Sequence, residues 1–132
     1  MRLAVDTNVI LRLMVRDDPP QTALAVRELD KAEAVILSLV TLCEAAWVME
    51  RTYRFSRATI AENLRALLAV PSVEYDRPEV EAGLAILELG GDFADGVIAR
   101  QGRARRAEVF VSFDQKAVRH LVALGENARL PN

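Results

Sequence analysis

The sequence predicts an α/β protein in which a short parallel sheet lies between helices, a three-layer α/β/α arrangement. Short apolar segments alternate along the chain with longer segments whose apolar residues recur at helical spacing. This alternation is typical of a parallel sheet with helices on both faces. Because the crossovers of such a sheet are right-handed, the C-terminal ends of its strands share one edge. We therefore expect polar residues that directly follow the strands to lie near one another.

The predicted strands are short and apolar, and they cover residues 3–5, 34–37, 73–75, 109–111 and 128–130. The helices between them are predicted at 8–14, 19–31, 41–53, 57–70, 78–89, 92–100 and 115–121. Pro19 and Pro20 are tolerated in a first helical turn, and Ser56 is a favourable N-cap. The apolar residues at helical spacing are predicted to face inward; they include Leu24, Leu29, Ile60, Leu64, Leu67 and Leu68.

The composition indicates a single domain over residues 1–132. Of the 132 residues, 52% are hydrophobic and 27% are charged, which is typical of a soluble chain with an ordinary core. No apolar run is long enough to cross a membrane, and the N-terminus lacks the layout of a signal peptide. Cys43 is the only cysteine, which excludes a disulfide framework and a thiolate metal cluster. A cytoplasmic protein is the expectation.

Arginine supplies nearly all of the positive charge, although the net charge of the chain is −2. Two groups of arginines follow predicted helices: Arg51, Arg54 and Arg57, and then Arg100, Arg103, Arg105 and Arg106. Because guanidinium groups suit phosphate recognition, one interpretation is a basic rim beside an acidic centre. The other is ordinary solvated surface, which is the commoner origin of a charge run.

Four acidic residues stand where predicted helices begin. Asp6, Glu44 and Asp114 follow predicted strands, and Asp95 lies just after the Gly90-Gly91 break. Each acid taken alone is well explained as a helix cap or as a complement to the helix dipole. Caps do not require helix starts to converge, however, whereas the common edge of a parallel sheet does bring them together.

Two of these acids have a specific capping interpretation. Thr41-x-x-Glu44 matches a capping box, and Asp92-x-x-Asp95 resembles one. The alternative for Glu44 and Asp95 is a shared acidic pocket with Asp6.

Carboxylates packed in one pocket repel one another, and a cation relieves that repulsion. Oxygen ligands without cysteine, and with His120 as the only histidine, favour a hard ion such as Mg²⁺ or Mn²⁺. Such an ion lowers the pKa of a bound water and neutralises charge on a phosphodiester. Under this scheme, hydrolysis of a nucleic-acid backbone needs no covalent nucleophile.

Four motifs follow one another along the chain: Val-Asp6-Thr-Asn8, then Glu44 in a long helix, then Asp92-Phe-Ala-Asp95-Gly-Val-Ile-Ala, then Val-Ser112-Phe-Asp114. In order, spacing and total length this set resembles the PIN domain. Within that family it resembles the VapC-type toxin ribonucleases of bacterial toxin–antitoxin pairs.

The resemblance implies a Mg²⁺- or Mn²⁺-dependent endoribonuclease. It implies that the catalytic, metal-binding acids are Asp6, Glu44, Asp95 and Asp114, and that the supporting polar groups are Thr7, Asn8 and Ser112. Asp92 is either an additional acid of the pocket or a helix cap. Gly96 stands where the family often has alanine, which weakens the start of that helix slightly.

The resemblance also implies partners. VapC-type toxins commonly form homodimers, cleave RNA, and are held inactive by a cognate VapB-type antitoxin that wraps around them. The exposed faces of apolar helices, including Trp47 and the face from Ile60 to Leu68, would suit such an antitoxin. The alternative is that these residues are core. Core is the preferred interpretation for Leu64 and Leu67, and the choice stays open for Trp47.

Two rival functions can be compared with this one. A haloacid-dehalogenase-type phosphatase would use Asp6 as its nucleophile, but it needs a carboxylate two residues later, where this chain has Asn8. It also needs a lysine between its threonine motif, imitated here by Thr41, and its final acidic motif, imitated by Gly91-Asp92. Lys31 and Lys116 both lie outside that interval. A catalytically silent domain that only binds RNA or a partner is disfavoured, because an acidic pocket without metal repels phosphate.

Overall fold

Five short strands and seven helices make up the protein, whose computed structural model describes residues 1–132. Their order is β1 (Arg2–Ala4), α1 (Thr7–Val15), α2 (Pro19–Lys31), β2 (Ala34–Ile36), α3 (Leu39–Arg51), α4 (Arg57–Leu68), β3 (Val73–Glu74), α5 (Arg77–Glu88), α6 (Phe93–Ala104), β4 (Phe110–Val111), α7 (Gln115–Ala123) and β5 (Ala128–Arg129). The chain divides into an N-terminal unit, Met1–Asp76, and a C-terminal unit, Arg77–Asn132. No helix is long and apolar enough to cross a membrane.

The N-terminal unit is built on a three-stranded parallel sheet in the order β1-β2-β3. Leu3 lies opposite Val35, and Val35 lies opposite Val73. The central strand is the most buried, with Val35 1% exposed. Its continuous apolar sequence is typical of a parallel strand that is covered on both faces. Arg2 reaches across β2 and donates two hydrogen bonds to the carboxylate of Glu74, at 3.0 and 2.8 Å. This pair links the two edge strands and lowers the pKa of Glu74.

Serine side chains begin two helices of this unit. Ser56 Oγ accepts a hydrogen bond from the backbone N–H of Thr59 at 3.1 Å, so the predicted cap of α4 is confirmed. α3 begins earlier than predicted, because Ser38 Oγ accepts from the N–H of Thr41 at 3.2 Å. The capping-box interpretation of Thr41 and Glu44 is therefore excluded, since Glu44 lies beyond the first turn of α3.

The predicted inward-facing residues are buried in α4, but in α2 the prediction for Leu24 is wrong. Ile60, Leu64, Leu67 and Leu68 all lie in the core, so this face is not open to a partner. Leu24 is 55% exposed instead of facing inward. The buried face of α2 is formed by the smaller residues Thr22 and Ala25, and the Thr22 hydroxyl donates to the carbonyl of Arg12 at 2.7 Å.

The C-terminal unit combines α5, α6 and α7 with the parallel pair β4–β5. Ile86, Ala99 and Leu121 pack together, with Phe110 and Ala128 from the two strands against them. The predicted strand at 128–130 is thus present as β5. His120 is half-buried and packs against Gly91, where an added Cβ would lie 2.6 Å from its Nδ1 atom.

Gly96 allows α6 to approach α5 closely. A Cβ at this position would lie 2.6 Å from the carbonyl carbon of Ala82 and 2.8 Å from the Cα of Gly83. Because the obstructing atoms belong to backbone, they cannot move aside as the end of a side chain can. Glycine at this position is therefore required by packing, and its low helix propensity is the smaller effect.

We predict that Gly96→Ala destabilises the protein by about 1–3 kcal/mol, the usual cost of overpacking. The destabilisation is expected even though alanine has a higher helix propensity than glycine. Gly102→Ala is the matched control, because it lies in the same helix and its Cβ would meet only the Ala107 side chain, at 3.5 Å. That change should stabilise by up to about 1 kcal/mol. Urea unfolding of both variants measures the difference, and equal stabilisation by both would disprove the close approach.

Candidate metal centre

Three carboxylates of the C-terminal unit come together. One oxygen from each of Asp92, Asp95 and Asp114 lies within 4.8 Å of the others. Asp92 and Asp95 are half-buried and Asp114 is exposed. The group is held by the start of α6 and by the residue that follows β4 and precedes α7.

Asp114 is fixed by backbone hydrogen bonds on both sides. Its Oδ1 accepts from the N–H groups of Lys116 at 2.9 Å and Ala117 at 3.1 Å, so it is the N-cap of α7. Its own N–H donates to Ser112 Oγ at 3.0 Å. Ser112 is in turn anchored to β5, because its N–H donates to the carbonyl of Arg129. Ser112 thus supports Asp114 through the backbone.

Asp92 and Asp95 lie on neighbouring positions of α6, three residues apart, where helical side chains are adjacent. Asp92 occupies the N-cap position of α6, but its side chain makes no capping hydrogen bond. The side chain of Asp92 therefore does not cap α6. It lies in the carboxylate cluster instead. The backbone carbonyl of Asp92 instead accepts from the N–H of Asp95 at 3.1 Å.

The spacing of these oxygens suits a divalent cation. Opposite ligands of an octahedral Mg²⁺ lie about 4.2 Å apart, and those of the larger Ca²⁺ about 5 Å apart. The 4.8 Å limit falls between these values, so small side-chain movements would fit a hard ion. The donors are all carboxylate oxygens, which select hard ions over those preferring sulfur or imidazole.

Asp6 has the same local design as Asp114 but belongs to the N-terminal unit. Its Oδ1 accepts from the N–H groups of Asn8 at 3.0 Å and Val9 at 3.3 Å and thereby caps α1. The Thr7 and Asn8 side chains make no hydrogen bond to Asp6; Asn8 supports it through its backbone alone. In both Asp6 and Asp114 one oxygen caps a helix and the other, Oδ2, stays free of hydrogen bonds.

Glu44 lies on the exposed surface of α3, in the N-terminal unit. It makes no ion pair, and it is not the helix cap that the sequence suggested. Because α1 packs against α3, the unit holds Asp6 and Glu44 on two contacting helices.

Cys43, beside Glu44, is a poor nucleophile. Burial raises the pKa of its thiol, so the reactive thiolate is disfavoured at neutral pH. No histidine stands near it in sequence to accept its proton.

The family comparison extends over both units. The PIN domain family matches residues 3–121, so the chain belongs to the PIN domain family, and the predicted PIN-like α/β class with a short parallel sheet is confirmed. No curated protein matches the chain. PIN domains are generally metal-dependent nucleases that use divalent ions, and the carboxylate cluster of the C-terminal unit agrees with metal binding.

We predict that Asp114→Asn separates the capping role from the metal-binding role. Asparagine caps a helix as well as aspartate does, so the melting temperature in EDTA should stay near that of the parent. Binding of Mn²⁺ to the folded parent should raise its stability by about 2.7 kcal/mol at 100 times the dissociation constant. The variant should lose most of this gain, which thermal melting with and without Mn²⁺ measures.

Asp30→Asn serves as the control, because Asp30 is an exposed residue of α2 outside the cluster. It should keep the full stabilisation by metal. If Asp114→Asn also keeps it, Asp114 is a helix cap only.

Proposed function

We propose that this PIN domain is a Mg²⁺- or Mn²⁺-dependent endoribonuclease that hydrolyses RNA phosphodiester bonds. The observation that carries the proposal is the cluster of Asp92, Asp95 and Asp114, whose oxygens approach within 4.8 Å. A cation bound among three carboxylates at this spacing would relieve their mutual repulsion. Family membership supplies the nuclease class.

The proposed catalytic acids are Asp6, Glu44, Asp95 and Asp114, with Thr7, Asn8, Asp92 and Ser112 as supporting residues. When bound, the ion would activate a water and neutralise charge on the scissile phosphate. The chain's own contribution is orientation: the helix N-termini hold one oxygen of Asp6 and one of Asp114 and leave the second oxygen of each available. Such fixed ligands need little rearrangement when substrate arrives.

The phosphatase alternative is weaker on the same observations. Its acid–base group would have to stand two residues after Asp6. That position is occupied by Asn8, whose amide does not ionise and so cannot act as a general acid or base. A nuclease that uses an activated water needs no such group.

The finer proposal is that the enzyme is the toxin of a toxin–antitoxin pair, acting in the cytoplasm as a homodimer with a VapB-type antitoxin as its inhibitor. A cleft of about 460 Å³ supports a protein partner in the N-terminal unit. It lies between β1, α1 and α2 and is lined by Leu3, Val5, Val9 and the exposed Leu24. An apolar helix face of an antitoxin would cover these side chains and remove them from water.

We predict that Asp6→Asn lowers RNA cleavage about 100-fold or more, since even residues behind metal ligands contribute 10- to 100-fold. Asparagine keeps the cap of α1, so the fold should be retained. Cleavage of total RNA with Mg²⁺ or Mn²⁺, followed by mapping of the new ends, measures the loss, and EDTA should abolish the parent's activity. Asp30→Asn is the control and should cleave normally. Parent-like cleavage by Asp6→Asn would reject the assignment.

A test on the parent protein distinguishes the nuclease from the phosphatase alternative. Incubation with a phosphomonoester and mass spectrometry of the intact chain should reveal no phosphate on Asp6. A stable phosphoaspartate at this position would replace the nuclease proposal with the rival.

For the toxin role, we predict that expression of the parent chain in a bacterial host arrests growth, whereas Asp6→Asn does not. Coexpression of the small protein encoded beside the toxin gene should restore growth. Normal growth with active, soluble parent protein would contradict the toxin role while leaving the nuclease activity intact.

A further inference from the structure

One face of α3 carries an exposed row of side chains that the fold does not use. Val40, Glu44, Trp47 and Arg51 are spaced by four, three and four residues, which places them on one side of a helix. All four are exposed, with Val40 at 77% and Trp47 at 59%. The opposite side of α3 is core, as Leu42, Ala45 and Met49 are 0% exposed. The row therefore faces away from the core of the N-terminal unit.

The row ends at a shallow cleft of about 460 Å³, lined by Glu50, Arg51, Arg54 and Phe55. The only acid in this lining, Glu50, is already paired with Arg57 at 3.1 Å. Arg51 and Arg54 have no carboxylate partner and no side-chain hydrogen bond. The cleft therefore presents two uncompensated positive charges, although the chain as a whole is negative.

The backbone of Arg54 is in the left-handed region, with φ at 60°, where glycine is favoured. Arg16 has a similar φ of 57° at the end of α1, but its Nε donates to the carbonyl of Leu13 and so caps its own helix. Arg54 makes no such bond. Local capping thus explains an arginine at position 16 and leaves the side chain of Arg54 without a structural task.

We infer that the row on α3 binds single-stranded RNA, with Trp47 stacking on a base and Arg51 and Arg54 contacting phosphates. Aromatic stacking combined with arginine contacts to the backbone is how proteins hold single strands without reading sequence. The inference rests on the proposed function, because it treats Glu44 as the end of the row nearest the chemistry. Arg51 lies about 10 Å from Glu44 along the helix axis, so the arginines contact nucleotides beside the scissile phosphate.

Charge favours RNA over a second copy of the chain as the occupant. A second copy packed through the same row could offer its Glu44 to Arg51, but the row has only one acid for the two arginines of the cleft, so Arg54 would be left without counter-charge. RNA offers a planar base to Trp47 and a phosphate at each nucleotide, so it satisfies both parts of the row.

The single tryptophan of the chain makes the contact directly measurable. A short single-stranded RNA, titrated in the presence of Mg²⁺ into Asp6→Asn, whose cleavage should be strongly reduced, should quench the fluorescence of Trp47. The same sequence as a duplex should quench much less, because its bases are already stacked. Full binding without any change in Trp47 fluorescence would overturn the stacking contact.

Variants separate the two kinds of contact. Labelled RNA should bind about 5- to 100-fold more weakly to Trp47→Leu, which keeps an apolar side chain but cannot stack, and Trp47→Phe should recover part of the loss. Arg51→Ala combined with Arg54→Ala should lower the slope of log affinity against log salt by about 0.7 for each lost phosphate contact. Arg27→Ala is the control, because Arg27 is an exposed arginine on a different helix, α2. It should change neither the affinity nor the salt dependence.

The outcomes distinguish this inference from the nuclease proposal. Normal RNA binding and cleavage by the tryptophan and arginine variants would overturn the inference and leave the nuclease intact. Quenching of Trp47 by RNA, lost in the arginine double variant, would support the inference even if the parent cleaves no RNA with any metal. A Trp47 signal that depends on protein concentration and not on RNA, with a dimer in sedimentation, would overturn it in favour of a second copy.

Discussion

The close approach of α6 to α5 at Gly96 sets the position of two carboxylates in the C-terminal unit. The backbone of Ala82 and Gly83 fills the space that a side chain at position 96 would need. Asp95 is the next residue, and Asp92 lies one turn earlier, so both are carried on the part of α6 that this contact fixes. Phe93 closes the same contact, because its ring covers Gly83 and is itself 2% exposed. The acidic cluster is therefore positioned by apolar packing and small residues behind it.

Capping and metal binding, which compete as explanations when only the sequence is considered, are compatible in the structure. Asp6 and Asp114 each use Oδ1 for backbone N–H groups at a helix start. Their second oxygens point to no protein donor. A carboxylate has two oxygens, so the argument that an acid is merely a cap does not remove it from a candidate site. Asp92 provides the converse case, because it stands at a cap position without making the capping bond.

Much of the architecture could be predicted from local patterns. Each predicted strand is present within one or two residues, and the Ser56 cap and the buried face of α4 are correct. These features depend on residues close together in sequence. The start of α3 lies two residues before the predicted position, because Ser38, a better N-cap residue than Thr41, occupies the cap position.

Other features depend on residues far apart in sequence and were outside the reach of pattern analysis. The exposure of Leu24 follows from the use of Thr22 and Ala25 as the packing face of α2. The requirement for glycine at position 96 comes from the backbone of a different helix. Trp47 could equally have been core or surface, since its helix has apolar residues on several sides. Only the packed structure identifies its outward face.

Under the proposed function, in which Asp6 and Asp114 bind metal, their helix caps have a consequence for the energetics of metal exchange. Because backbone donors already hold these carboxylates in place, an arriving cation does not have to order them. The conformational entropy that flexible ligands would lose on binding has been lost when the helices form. Binding energy is thus not consumed by folding, in contrast to sites that are assembled by their metal. The protein should stay folded as one hard cation replaces another, and the supply of each ion in the cell would then govern which one it carries.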